Sequence, residues 1–232
     1  MVMTRTRWII FVLLCLGILG LILVTNKKDN GSNWTGDATK IISTGPIADH
    51  VFGNTAQKVT LIEYGDYQCP GCESVYPAIK QITSTYKDNL TFIFRNMPLT
   101  TIHPNALAAA TAAEAAGLQG KYYEYHDMLY DNQAEWKDAT VSDRTAKFES
   151  YAKQLGLDAN KFKSDLSSSQ VTDKINRDRS TASSFGITST PTLILNGQKV
   201  AQDTTFDKGK LTQLINDEYS KAGLTPPATP TN

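Results

Sequence analysis

An α/β fold, in which a βαβ unit and a ββα unit flank a helical block, is predicted by three features of the sequence. Strand, helix and strand periodicities follow one another within 40 residues from Lys58 to Arg95, as in a parallel βαβ pairing. About 85 residues of mostly helical pattern come next. Then Asn196-Gly197 separates two short apolar runs, a strong short-range signal for a hairpin, and an amphipathic helix closes the pattern. With 232 residues, 41% hydrophobic and 20% charged, the chain can bury an ordinary core, which excludes disorder, collagen and coiled coil as its main state. Its 23 basic and 23 acidic residues cancel, so no overall field draws it to nucleic acid.

In chain order, residues 1–7 carry Arg5 and Arg7 and read as a cytoplasmic n-region. Residues 8–24 (WIIFVLLCLGILGLILV) contain no charge and as a helix would span about 25 Å, slightly short of a bilayer core. No small-x-small cleavage site follows. An uncleaved single-pass anchor is therefore favoured over a cleaved signal peptide that would release a secreted domain. The flanking charges place the C-terminal part outside the cytoplasm. Cys15 lies within the apolar run and reads as a packing side chain. Residues 25–45 are polar and Gly-rich, as in a flexible linker, and the acidic spacing around Asp29 does not fit a calcium loop.

Lys58–Tyr64 reads as a buried strand and Cys72–Tyr86 as a helix with Val75, Ile79, Ile82 and Tyr86 on one face. Leu90–Arg95 is a second strand. Helical segments follow at 104–116, 121–131 and 142–155, the first and last ending at Gly117 and Gly156, with a further stretch to about Phe185. Thr192–Leu195 and 198–201 form the hairpin, and Leu211, Leu214, Ile215 and Tyr219 mark the final helix. Residues 223–232 are Pro-rich and read as a disordered tail.

The chemistry concentrates at Cys69-Pro70-Gly71-Cys72, where the first strand gives way to the first helix. Two cysteines at this spacing can close a small disulfide ring. At a helix start the unused amides and the positive end of the dipole face the first sulfur, and Pro70 suits a position whose amide has no helical partner. Cys69 is thus expected as the exposed, thiolate-prone nucleophile and Cys72 as the shielded resolving thiol. A zinc site is the bland competitor, but no second cysteine pair exists, and His50, His103 and His126 lack tight ligand spacing; a structural disulfide is the other. Asp66 reads as the organiser of the turn before Cys69, and His103 and His126 as helix-end or packing residues rather than acid-base groups.

Glu63 six positions before Cys69, Pro77 eight after it, and Thr190-Pro191 ahead of a strand together resemble the thioredoxin superfamily. The long helical block, CPGC, Tyr64-Gly65-Asp66-Tyr67 and Arg95-Asn96-Met97-Pro98-Leu99 narrow the resemblance, over about residues 50–220, to DsbA-like thiol-disulfide oxidoreductases in a membrane-anchored form. The resemblance implies a thioredoxin-like domain in two parts, 46–97 and 186–222, with an inserted helical domain at 98–185. It implies a kink at Pro77, and a cis Thr190-Pro191 bond that sets Pro191 against the cysteines and offers the Thr190 backbone to substrate. Glu63 shares a strand face with Val59 and Leu61, so its carboxyl is expected to be desolvated. In the family such an acid relays protons near the inner cysteine; a salt-bridged structural role is the alternative.

The resulting expectation is an anchored enzyme that donates a Cys69–Cys72 disulfide to unfolded or reduced exported proteins. It would use no cofactor beyond that redox-active pair and no metal, and would be reoxidised by a membrane-embedded partner. A holdase that binds exported peptides without redox turnover is the competing class.

Overall fold

The computed structural model describes residues 40–54 and 58–228. The anchor read at 8–24, Cys15 and most of the linker lie outside the described residues. Among those described, no helix is long and apolar enough to cross a membrane. The first strand, β1 (Val51–Gly53), is followed by β2 (Val59–Gly65), α1 (Pro70–Tyr86) and β3 (Leu90–Asn96). Six helices come next: α2 (Ala106–Gly117), α3 (Tyr122–Asp131), α4 (Gln133–Trp136), α5 (Val141–Gln154), α6 (Ala159–Asp165) and α7 (Ser169–Ser184). The chain returns through β4 (Thr192–Leu195), β5 (Gln198–Lys199), α8 (Gln202–Thr205) and α9 (Lys208–Lys221).

These strands form one mixed sheet in the order β1-β3-β2-β4-β5, with β2 and β3 parallel and the other neighbours antiparallel. Residues of β2 and β3 alternate between two buried faces, which is why both strands read as nearly continuous apolar runs. Val59, Leu61, Phe92, Phe94, Leu193 and Leu195 join the larger core with α1, α9 and the inserted helices. Ile62, Tyr64, Ile93 and Ile194 pack on the opposite face with Ala182 of α7 and Ile187. At the hairpin, Asn196 and Gly197 both adopt positive φ, 46° and 82°, as a two-residue turn matched to strand twist requires. The Asn196 side chain also accepts a 2.8 Å bond from the Thr60 amide, tying the turn to β2.

Local chemistry explains the inserted helices. Thr140, Asp158 and Ser168 cap α5, α6 and α7 by accepting bonds from backbone amides. The alanines of α2 favour helix and let neighbours approach closely, so this helix is buried nearly all round. Gly117, expected as the helix stop, is the last residue of α2. A Cβ there would lie 2.5 Å from the His50 ring, so the missing side chain makes room for that ring.

Three segments differ from the expectation. The strand β1 was not anticipated, because three residues are too few to show alternation. The end of the segment read as a free linker is packed: Ile42 is buried, and its amide donates to Asp49 Oδ2 at 2.8 Å while Asp49 N donates to Ile42 O at 2.7 Å. Arg177 donates to Thr44 O at 2.8 Å and Arg95 donates to Lys40 O. At the other end, residue 223 opens the segment read as a tail, yet Gly223 terminates α9 with φ 72° and the Leu224 amide donates to Tyr219 O at 2.9 Å.

Beneath this N-terminal segment lies a buried set of charges. Lys174 Nζ is 2.6 Å from Asp178, 3.5 Å from Asp49 and 3.8 Å from Glu114. Arg95 meets Asp49 at 2.8 Å, and His50 Nε2 meets Glu114 at 2.7 Å. Asp178 also accepts the Asn96 amide at 3.0 Å, which joins α7 to the end of β3.

Candidate active site

The turn from β2 into α1 is organised by Asp66. Its Oδ1 accepts the Gln68 amide at 2.7 Å, and its Oδ2 accepts the Leu99 amide at 2.8 Å and faces His103 Nδ1 at 2.8 Å. This side-chain mimic of a turn is why Asp is suited to the position. His103 is therefore a support of the turn and no member of a helix. His126 is a packing residue, as expected, with its ring among Tyr67, Tyr76, Phe94, Tyr123 and Tyr130.

Cys69 is the N-cap of α1 and Pro70 its first residue. No side chain caps the helix, so its first amides are free to face the Cys69 sulfur. Cys69 was expected to be exposed, yet it lies just beneath the surface at 8% exposure, whereas Cys72 is fully sealed. Thr190 O lies 3.6 Å from the Cys69 sulfur, and Gln133 Nε2 of the insertion lies 3.4 Å from the Cys69 carbonyl oxygen. Both cysteines are free thiols. Hydrogen bonding to Cys72, to Thr190 and to the Cys72 and Gly71 amides outweighs burial and brings the Cys69 thiol down to about 5. Burial pushes the Cys72 thiol up, and the negative charges of Cys69 and Glu63 add to that push.

Thr190-Pro191 lies across the pair, and its peptide bond is cis. Cys69 Sγ donates to Thr190 O at 3.6 Å. A Cβ on Gly71 would fall 3.3 Å from Pro191 Cδ and 3.6 Å from Cys69 Sγ, so glycine lets the loop and the helix start approach each other. Pro77 lies within α1, and no break divides that helix.

Glu63 lies on β2 between Phe94 of β3 and Leu193 of β4. Burial, aided by the Cys69 charge, raises its carboxyl to about 8. Among the described residues it makes no ion pair, so the salt-bridged alternative has no partner there. Cys69, Cys72, Glu63, Thr190 and Pro191, separated by up to 128 positions, thus converge at one end of the sheet.

Three supports were not foreseen. The Gln133 side-chain amide donates to Tyr67 O at 2.8 Å, Gln68 Nε2 donates to Lys137 O at 2.6 Å, and the Asn105 backbone N–H donates to Gln68 Oε1 at 2.7 Å. Nothing in the sequence distinguishes these amides from surface ones. Among the described residues, no group of three His, Cys, Asp or Glu side chains could hold a metal ion.

A mixed sheet with a helical insertion, carrying a CPGC turn under a proline loop, defines a protein of the thioredoxin fold. The thioredoxin family model matches residues 46–217, and the chain belongs to that family. Its structure is similar to a thioredoxin-like oxidoreductase from Silicibacter pomeroyi (TM-score 0.61, 25% identity, covering 75% of this chain and 92% of that one). It is also similar to BdbD from Bacillus subtilis in oxidised form (TM-score 0.66, 21% identity, covering 80% of this chain and 100% of that one). In sequence it is 36% identical over 159 residues to the Na(+)/H(+) antiporter NhaA 1 of Salinispora arenicola, a match over 68% of this chain and 23% of that protein. The chain thus spans about a quarter of the length of that curated relative, and the antiport named there is said of the longer protein.

Proposed function

We propose that the chain is a disulfide-forming oxidase of exported proteins, with a Cys69–Cys72 disulfide as its only redox group. The asymmetry of the two thiols carries the reading: one is stabilised as a thiolate near the surface, the other is sealed and held protonated. A substrate thiolate attacks Cys69 Sγ, the Cys69–Cys72 bond breaks, and Cys72 leaves with the electron pair. Glu63, mostly protonated at neutral pH, supplies the proton that Cys72 takes up. A second thiolate of the substrate then attacks the substrate sulfur of the mixed disulfide, and Cys69 departs as its stabilised thiolate. The substrate loses two electrons and the cysteine pair gains them. Stabilising the reduced enzyme in this way makes its disulfide a stronger oxidant.

In the same reading, residues 1–7 are cytoplasmic, 8–24 anchor the chain in the membrane, and the catalytic part lies outside the cytoplasm as two thioredoxin-like parts around the 98–185 insertion. Thr190 and Pro191 bind the substrate as an added strand. A membrane-embedded partner restores the disulfide, and nucleic acid plays no part.

Two measurements test this. Cys72→Ser should accumulate mixed disulfides with a reduced, unfolded substrate, visible on non-reducing gels. Equilibration with glutathione should place the potential between those of thioredoxin, about −270 mV, and the strongest oxidants, about −120 mV. A value below that range would reverse the direction of electron flow. Binding of unfolded chains without any covalent adduct would favour the holdase.

A further inference from the structure

We propose that Gln133, at the start of α4 in the helical insertion, is a positioning residue that holds the turn carrying Cys69 so that the first amides of α1 stay aimed at the sulfur. The inference rests on the reading of Cys69 as the reacting thiol. Gln133 is 57 residues or more from every residue assigned above to the chemistry, and it is 1% exposed. Its Nε2 donates to Tyr67 O at 2.8 Å and makes a longer contact to Cys69 O at 3.4 Å. Both partners are carbonyls, which only accept, so the amide nitrogen must face them. One side chain thus spans the two carbonyls that bracket Gln68 and end at the N-cap of α1. The Cys69 carbonyl also accepts the Glu73 amide at 3.1 Å, the first bond of the helix.

What holds Gln133 is itself rigid. Trp136, one turn on, is fully buried, donates from its indole to Leu129 O at 2.9 Å and packs edge-on to Phe148. The attachment is also reciprocal. Gln68 reaches back to Lys137 O at 2.6 Å, and Asn105, which holds Gln68 Oε1, donates to Lys137 O at 3.0 Å and accepts from Arg144 at 2.7 Å. The turn is therefore bolted to the insertion on both sides of Gln68. Thiolate stabilisation by amides falls steeply as distance and angle degrade, so a turn free to shift would lose part of it.

The test is the pH dependence of Cys69 alkylation in the reduced full chain, with Gln133→Met, which keeps the length and loses both donors. Wild type should titrate far below an ordinary thiol, and the variant should titrate about one unit higher, a tenfold loss of thiolate at acidic pH. A folded variant with an unmoved midpoint overturns the proposal. A wild-type midpoint near the ordinary value of about 8.5 overturns the reading of Cys69 on which it stands. Should the variant fail to fold, nitrogen-15 spectra of the wild type decide. The Gln133 side-chain amide should exchange slowly and shift with the Cys69 titration, and a fast-exchanging, pH-insensitive amide would refute its role.

Discussion

Glu63 keeps its proton to a pH at which free glutamate is ionised, and this has a thermodynamic sign. Below the unfolded value of about 4.5 both states are protonated and the side chain costs nothing. Between about 4.5 and 8 the unfolded chain releases the proton while the folded chain keeps it, so stability is lost as pH rises through this window. Glu63→Gln removes the ionisation and preserves the shape. The variant should therefore gain on wild type between pH 5 and 8, by a few kcal/mol at the upper end at about 1.4 kcal/mol per unit, read from urea midpoints. A constant difference across that range would mean that the carboxyl is already ionised. In the same domain, iodoacetamide should label Cys69 with a rate that rises through about pH 5 and levels off by neutral pH, leaving Cys72 unmodified. Peptide mapping that found Cys72 labelled first would exchange the two roles.

At the scale of elements, α7 is joined to β3 by charge rather than by apolar packing alone. Lys174 is fully buried within 4 Å of Asp178, Asp49 and Glu114. Removing one member of such a set leaves its partners buried and uncompensated, typically at about 3–5 kcal/mol. Lys174→Met is expected to destabilise by that amount in chemical denaturation, and adding Asp178→Leu should recover part of the loss. A double variant no better than the single one would show that the other carboxylates hold the charge balance. The helical insertion behaves comparably as a support. Asn105, Gln133 and Trp136 give the turn at Cys69 its fixed anchorage, which a bare βαβ unit would lack.

For the molecule as a whole, the folded unit begins before the resemblance-based boundary at 46. Residues 40–45 supply or receive bonds from Asp49, Arg95 and Arg177. A chain starting at residue 40 should keep the stability of the longer protein. One starting at 46 should lose about 2–4 kcal/mol, since each bond to a buried charged group contributes about 1–3 kcal/mol and part is regained from water. Equal denaturation midpoints for the two truncations would return the boundary to 46.

The local elements were legible in the sequence because their causes are local. Asn196-Gly197 makes its turn from two backbone dihedrals, the apolar, β-branched run of β2 and the 3.6-residue spacing of α1 follow from side-chain geometry, and CPGC marks a helix start by its own Pro and Cys. The candidate site was legible where it is contiguous, at Cys69 and Cys72, and elsewhere through family pattern, at Glu63, Thr190 and Pro191. Only the tertiary structure decided that Gly117 yields to His50, that Ile42 belongs to the core, that Asp66 pairs with His103, and that Gln133 reaches the turn from 66 residues away. Hydrogen bonds and close approaches between residues remote in sequence leave no periodic trace. A buried glutamine that fixes two carbonyls is written with the same letter as one in water, and only the packing around it makes the difference.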